Sequence, residues 1–146
     1  MDTLVEKEER ALPPIQQQRY KAFQQALQHM HQMVLLPDVN NIALRSEVTN
    51  LQQLFRDQLL SLPMDAFSST TQHWVQAHQV EIDKQLRLLG MDLLFLQGAR
   101  QVATALQRRQ QVCDRLDTLQ RYCEALLGGA ESDVTGEQRQ DEQGKF

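Results

Sequence analysis

The stretch IDKQLRLLGMDLLFLQGARQV, residues 82–102, decides the fold. Apolar residues recur in it at spacings of three and four, which place them within a sector of roughly 80° on an α-helix. The members of this set are Ile82, Leu86, Leu89, Leu93 and Leu96. Such spacing is typical of a helix that packs one face against a protein core. We therefore expect a long helix over residues 70–97.

Apolar seams of the same kind lie on both sides of this stretch, and prolines and glycines separate them. Pro14 begins the first seam, Pro63 ends the second, and Gly128 with the glycine after it ends the last. The sequence therefore predicts an all-α fold, an antiparallel up-down-up-down four-helix bundle over residues 13–129. A helical hairpin that completes its core by dimerising is the alternative.

Composition supports helices and limits the classes of function. Leu, Gln, Arg and Ala favour helix, and aromatic residues make up only 5%. The net charge is −4, with −2 in residues 1–12 and −3 in residues 131–146, which leaves +1 between them. We expect residues 1–12 to be flexible and residues 130–146 to form a disordered acidic tail. A near-neutral body is unlike the basic surface of a general nucleic-acid binder.

A second apolar stripe in residues 82–102 lies opposite the first. Leu88, Met91 and Phe95 fall roughly 160° to 180° from the core-facing set. Either neighbouring parts of the chain bury this stripe too, or it contacts a second copy or another protein. In the second case, three apolar anchors are framed by charged residues. The predicted partner-binding residues are Lys84, Arg87, Leu88, Met91, Asp92 and Phe95.

No pattern in the chain predicts catalysis, a cofactor or a metal site. The histidines within each pair are spaced by two or by five residues, whereas metal ligands on one helical face are three or four apart. Cys113 and Cys123 would lie about 15 Å apart on one helix, too far for a disulfide. There is also no glycine-rich phosphate loop, nucleophile elbow or paired-carboxylate motif. We therefore predict that the protein is not an enzyme.

Three segments resemble a known family. They are KQLRLLGMDLLFLQGARQ (residues 84–101), QRRQQVCDRLDTLQRYCEAL (residues 107–126) and LQQLFRDQLLSL (residues 51–62). All three are similar to the PatD family of small cyanobacterial proteins, named for control of heterocyst frequency. The resemblance implies a regulator without catalytic residues that connects cell differentiation with cell division, and its expected partner is the tubulin-like division GTPase, FtsZ. The best-matching positions are Lys84, Leu86, Arg87, Leu88, Asp92 and Phe95.

Two hypotheses for function follow. The first is a protein-binding regulator of cell division or differentiation that acts through the second stripe. The alternative is a nucleic-acid-associated regulator that uses the Arg/Gln-rich fourth helix. The arginines of that surface are Arg100, Arg108, Arg109, Arg115 and Arg121. Since the chain shows neither a secretory signal nor a membrane span, we expect it in the cytoplasm.

Overall fold

In the computed structural model of this chain, the backbone is described for residues 11–144 and the side chains for residues 11–128. The described residues form four α-helices and no strand. The helices are α1 (Pro14–Val34), α2 (Asn41–Leu54), α3 (Ser69–Gly98) and α4 (Val102–Gly144). A π-helical segment, Phe55–Leu60, continues α2. The predicted all-α, four-helix fold is confirmed.

The first three helices begin where the sequence supplies a proline or a capping side chain. α1 starts at Pro14, whose missing N–H would have no partner in the first turn. Asn40 caps α2, because its side-chain oxygen accepts a hydrogen bond from the Ile42 N–H at 2.7 Å. Ser68 caps α3, and its Oγ accepts from the Thr71 N–H at 3.2 Å. Each cap satisfies a backbone donor that the helix itself leaves unpaired.

Short connections make neighbouring helices antiparallel. α1 packs against α2 and α4, and α3 packs against the same two helices, so the four helices close around one core. Loops 35–40 and 99–101 therefore lie at one end of the bundle, and loop 61–68 lies at the other. A hydrogen bond from Gln97 Nε2 to the Asn41 carbonyl, 3.0 Å long, joins the end of α3 to the start of α2.

The core lies where the apolar seams of the four helices meet. Ile82, Leu86, Leu89 and Leu93 are at most 2% exposed, which confirms the core face predicted for α3. The buried apolar residues of the other helices are Tyr20, Phe23, Leu27, Met30, Val34, Leu44, Val48, Leu51, Val112, Cys113, Leu116, Leu119, Cys123 and Leu126.

Both ends of the bundle differ from the predicted boundaries. Leu12 is buried in the core and its carbonyl accepts a hydrogen bond from Gln17 Nε2, so the boundary predicted at residue 12 lies too far along the chain. Residues 1–10 of the predicted flexible segment lie outside the described residues. α4 continues past Gly128, where the sequence predicted its end. The side chains of the predicted acidic tail, residues 130–146, lie outside the described part of the chain.

The π-helical segment departs from the uniform helix that the second seam predicted. Phe55 and Leu59 are buried, so the apolar pair of the seam still faces the core. Arg19 on α1 donates from Nη1 to the Gln58 carbonyl at 3.2 Å. This bond supplies a donor to a carbonyl at the end of the helix, where helical carbonyls lack partners.

The space around Gly90 shows whether the packing of α3 against α2 requires a glycine at this position. A Cβ built at Gly90 would lie 4.0 Å from both Val48 Cγ1 and Gln52 Nε2 on α2, which is ordinary contact. We therefore expect Gly90→Ala to raise the free energy of unfolding by about 0.5–1 kcal/mol, because alanine loses less backbone entropy in a helix. Urea denaturation followed by circular dichroism measures this change. Gly98→Ala, at the last residue of α3, is the control and should gain less; a destabilised G90A variant would contradict the packing seen here.

Candidate protein-binding surface

The structure leaves most of the second stripe of α3 uncovered. Met91 is 51% exposed and Phe95 is 50% exposed, whereas Leu88 is partly buried. The chain's own helices therefore do not enclose Met91 and Phe95. The sequence left two alternatives open: burial of the stripe by the chain itself, or contact with another protein or a second copy. The first does not hold for Met91 and Phe95.

Further apolar side chains are exposed toward the end of the bundle that carries loops 35–40 and 99–101. Leu94, for example, is 62% exposed. We call this exposed set the apolar end. Its members are Leu35, Leu36, Ile42, Met91, Leu94, Phe95, Val102 and Leu106. Among residues 11–128, the other large apolar side chains of similar exposure are Ile15, Leu60 and Val80, which lie elsewhere on the bundle.

Sequence reasoning extended the second stripe to Val102 but missed Leu94, Leu35, Leu36, Ile42 and Leu106. Leu94 falls between the two stripes of α3, so periodicity assigns it to neither. Leu35 and Leu36 directly precede a proline, beyond the last buried residue of α1. Their position after the last core-facing residue of the helix is a signal that could have identified them. Only the antiparallel arrangement of the helices shows that they lie at the same end of the bundle as Leu106.

The predicted cations of α3 lie to one side of the apolar end. Lys84 and Arg87 are exposed, and Arg87 Nη2 lies 3.5 Å from Asp83 Oδ2, one helical turn earlier. Arg87 also lines a groove of about 390 Å³ beside the π-helical segment, together with Arg56 and Leu60. Arg87 therefore lies on the α2 side of α3, away from the groove that contains Phe95.

Asp92 lies inside a helix–helix contact rather than in the exposed rim that the sequence predicted. It is 8% exposed, and its Oδ2 accepts a hydrogen bond from Arg115 Nε at 2.9 Å. Arg115 Nη1 also donates to Gln85 Oε1 at 2.8 Å. The helical period turns Gln85 and Asp92 toward α4, where one guanidinium binds both. This buried polar contact holds α3 against α4.

Phe95 lies beside a cation of the neighbouring helix. The Arg108 Cζ atom is 4.8 Å from the centroid of the Phe95 ring, within the range of a cation–π interaction. Arg108 Nη1 also donates to Gln111 Oε1 at 3.0 Å. These side chains line an open groove of about 360 Å³ between α3 and α4, with Asp114 at its border. The exposed aromatic ring therefore has a positively charged neighbour.

A larger groove of about 800 Å³ lies between α1 and α4 and is lined mainly by polar side chains. Gln120 Nε2 donates across it to the Gln24 carbonyl at 2.9 Å. His31 Nε2 lies 3.6 Å from Asp117 Oδ1. Within the described residues, no three His, Cys, Asp or Glu side chains come together as a metal site requires. The contacts in this groove join α1 to α4.

Burial makes both thiols poor nucleophiles. Cys113 and Cys123 are free and buried. Desolvation raises the pKa of each thiol, and the carboxylates of Asp117 and Asp114 add to the effect at Cys113. Because the thiolate is the reactive form of cysteine, a raised pKa keeps these side chains protonated at neutral pH. They serve as apolar core residues.

Comparison with family models, curated proteins and solved structures finds no match to this chain. The resemblance to the PatD family therefore stays a prediction. No helix in the described part of the chain has the length and hydropathy needed to cross a lipid bilayer.

The contact between Arg115 and Asp92 can be tested by its effect on stability. We expect Arg115→Met to lower the free energy of unfolding by about 2 kcal/mol, because Asp92 then stays buried without its charge-assisted hydrogen bond. Arg121→Met on the same helix is the control, since Arg121 is exposed and bonds the Thr118 hydroxyl at 3.0 Å. That change should cost less than about 0.5 kcal/mol. Equal losses for the two variants, measured by urea denaturation, would show that Asp92 is not held as described.

Proposed function

We propose that this protein is a non-enzymatic regulator that binds another protein through the apolar end. The observation that carries the proposal is the number of exposed apolar side chains there, among them Met91, Leu94 and Phe95 on α3. Single exposed apolar residues are common on protein surfaces, whereas a group of them typically marks an interaction site. Met91 and Phe95 suit this role because a thioether adapts its shape and an aromatic ring supplies contact area.

The size of the apolar contribution sets the expected affinity. Burying a Leu, Met or Phe side chain completely contributes about 1.5–3 kcal/mol, so a half-exposed one has about 1 kcal/mol left to give. A partner that covered all eight side chains of the apolar end would gain at most about 8 kcal/mol, and association costs at least about 4 kcal/mol. A net gain of about 4 kcal/mol corresponds to roughly millimolar binding. Polar or charged contacts around the apolar end must therefore contribute to a useful affinity.

The resemblance to the PatD family supports a division protein as the partner, with the tubulin-like division GTPase FtsZ as the first candidate and the cytoplasm as the compartment. Two of the matching positions, Leu88 and Phe95, belong to the stripe of α3. A third, Asp92, belongs to the buried contact with Arg115. The resemblance thus includes residues that shape the surface and one that supports it.

The alternative function, nucleic-acid binding by α4, has less support from the geometry. Arg115, on α4, bonds the buried carboxylate of Asp92 and the side chain of Gln85. A guanidinium held by a buried carboxylate is not available to a phosphate. Phosphate contacts supply most of the affinity of nucleic-acid binders, so the loss of Arg115 from the exposed surface of α4 weakens this hypothesis.

The proposal predicts that Met91→Asp combined with Phe95→Asp weakens binding to the purified division GTPase at least tenfold, as expected when about 2 kcal/mol of apolar burial is lost. Isothermal titration calorimetry measures the affinity. Thermal unfolding of the variant should stay close to that of the unchanged protein, because both side chains are half exposed.

Val80→Asp is the matched control, since Val80 is an exposed apolar residue on the same helix but lies away from the apolar end. It should bind like the unchanged protein. Unaltered binding by the double variant would refute the apolar end as the docking surface. A large loss of stability would show instead that Met91 and Phe95 belong to the core. If the unchanged protein does not bind the GTPase, that protein is not the partner.

A further inference from the structure

The charges around the apolar end are not balanced. Between Leu88 and Arg109 the chain has the cations Arg100, Arg108 and Arg109 and a single carboxylate, Asp92. That carboxylate is buried and bonded to Arg115. The exposed Asp114, which borders the same groove and accepts a hydrogen bond from Gln110 Nε2 at 2.9 Å, offsets only one of the three cations. The hairpin of α3 and α4 therefore presents apolar side chains beside cations in a chain whose net charge is −4.

The other half of the same end is close to neutral. Loop 35–40 carries Asp38, and the first two turns of α2 carry Arg45 and Glu47. On α3, about one turn before Met91, the charge of Arg87 is offset by Asp83, whose Oδ2 lies 3.5 Å from Arg87 Nη2. The excess of positive charge is thus concentrated on the α3–α4 side, close to Phe95.

We infer that the segment docking on the apolar end is an acidic segment of a partner protein, with apolar anchors flanked by Glu or Asp. This inference rests on the proposed function and specifies its partner's chemistry. Carboxylates on either side of the anchors would meet Arg100 and Arg108, while the anchors cover Met91, Leu94 and Phe95. Such charge complementarity adds affinity and speeds association, which is the contribution that apolar burial alone does not supply.

A second copy of this chain fits the surface poorly. A two-fold symmetric dimer places the same patch of both copies face to face. Arg100 and Arg108 of one copy would then lie near the same cations of the other, and like charges at an interface oppose association. The charge pattern therefore favours a different protein over a homodimer.

The chain's own acidic tail is also a poor occupant. Residues 131–146 have a net charge of −3, but they follow the far end of α4. Gly128 lies about 39 Å along the helix axis from Val102. Since α4 continues as a helix to Gly144, the backbone leads away from the apolar end. An acidic segment supplied by another chain is the better match.

The test uses the full chain and two labelled helical peptides of about 18 residues. One peptide has Leu and Phe at positions i, i+3, i+4 and i+7 with Glu on both flanks; the other replaces every Glu with Lys. Fluorescence anisotropy measures their binding. We expect the Glu peptide to bind at least tenfold more tightly than the Lys peptide, and its affinity to fall as salt shortens the range of the charge interactions.

Charge reversal then locates the surface. Arg100→Glu combined with Arg108→Glu should weaken binding of the Glu peptide at least tenfold and improve binding of the Lys peptide. Arg121→Glu, an exposed arginine about 22 Å further along α4 from Leu106, is the control and should change either affinity less than about twofold.

The outcomes separate this inference from the proposed function. Equal binding of both peptides, lost in the Met91→Asp, Phe95→Asp variant, would overturn the acidic partner and leave the apolar docking surface in place. Binding of the Glu peptide that survives that variant would overturn both. A stable dimer seen by light scattering, if the same variant dissociates it, would make a second copy the occupant and refute the inference. Replacing the tail carboxylates by amides tests the tail. If the Glu peptide then binds more tightly, the tail occupies the surface and the inference is refuted.

Discussion

Antiparallel packing requires both helical hairpins of this chain to reverse direction at one end of the bundle. Loops 35–40 and 99–101 are short, so each helix must begin close to where the previous one ends. The opposite end contains the start of α1 and loop 61–68, as the hydrogen bond from Gln16 Nε2 to the Pro63 carbonyl shows. Eight exposed apolar residues lie toward the first end, whereas Ile15 and Leu60 lie toward the opposite one.

The contact of Arg115 with Asp92 fixes how α3 and α4 align, and this alignment places Arg108 over Phe95. A shift of one helix by a single turn, about 5.4 Å, would separate the buried carboxylate from its partner. Because α3 and α4 are antiparallel, Phe95, which follows Asp92 on α3, lies beside residues that precede Arg115 on α4. Arg108 is one of these residues. The cation–π contact at the surface thus depends on the register that the buried pair selects.

The fold could be predicted because the spacing of leucines in residues 82–102 identifies a core-facing helix before any partner is known. The site was predicted less completely. Periodicity correctly turned Met91 and Phe95 away from the core, but it could not show that Asp92 is buried, since its partner Arg115 lies 23 residues away in sequence. Nor could it assign Leu94, because the exposure of a residue between two stripes depends on where the neighbouring helices lie.

The distribution of charge explains why a bundle with an exposed apolar surface can remain selective. Apolar burial favours any apolar partner, including another copy of the chain, and therefore discriminates poorly. In the complex that we propose, Arg100 and Arg108 would repel cationic partners and a symmetric copy and attract acidic partners. Because the apolar contribution alone supports only weak binding, the charges decide which partners reach a useful affinity. The complex that we propose would therefore be reversible, since neither contribution by itself is large enough to make it permanent.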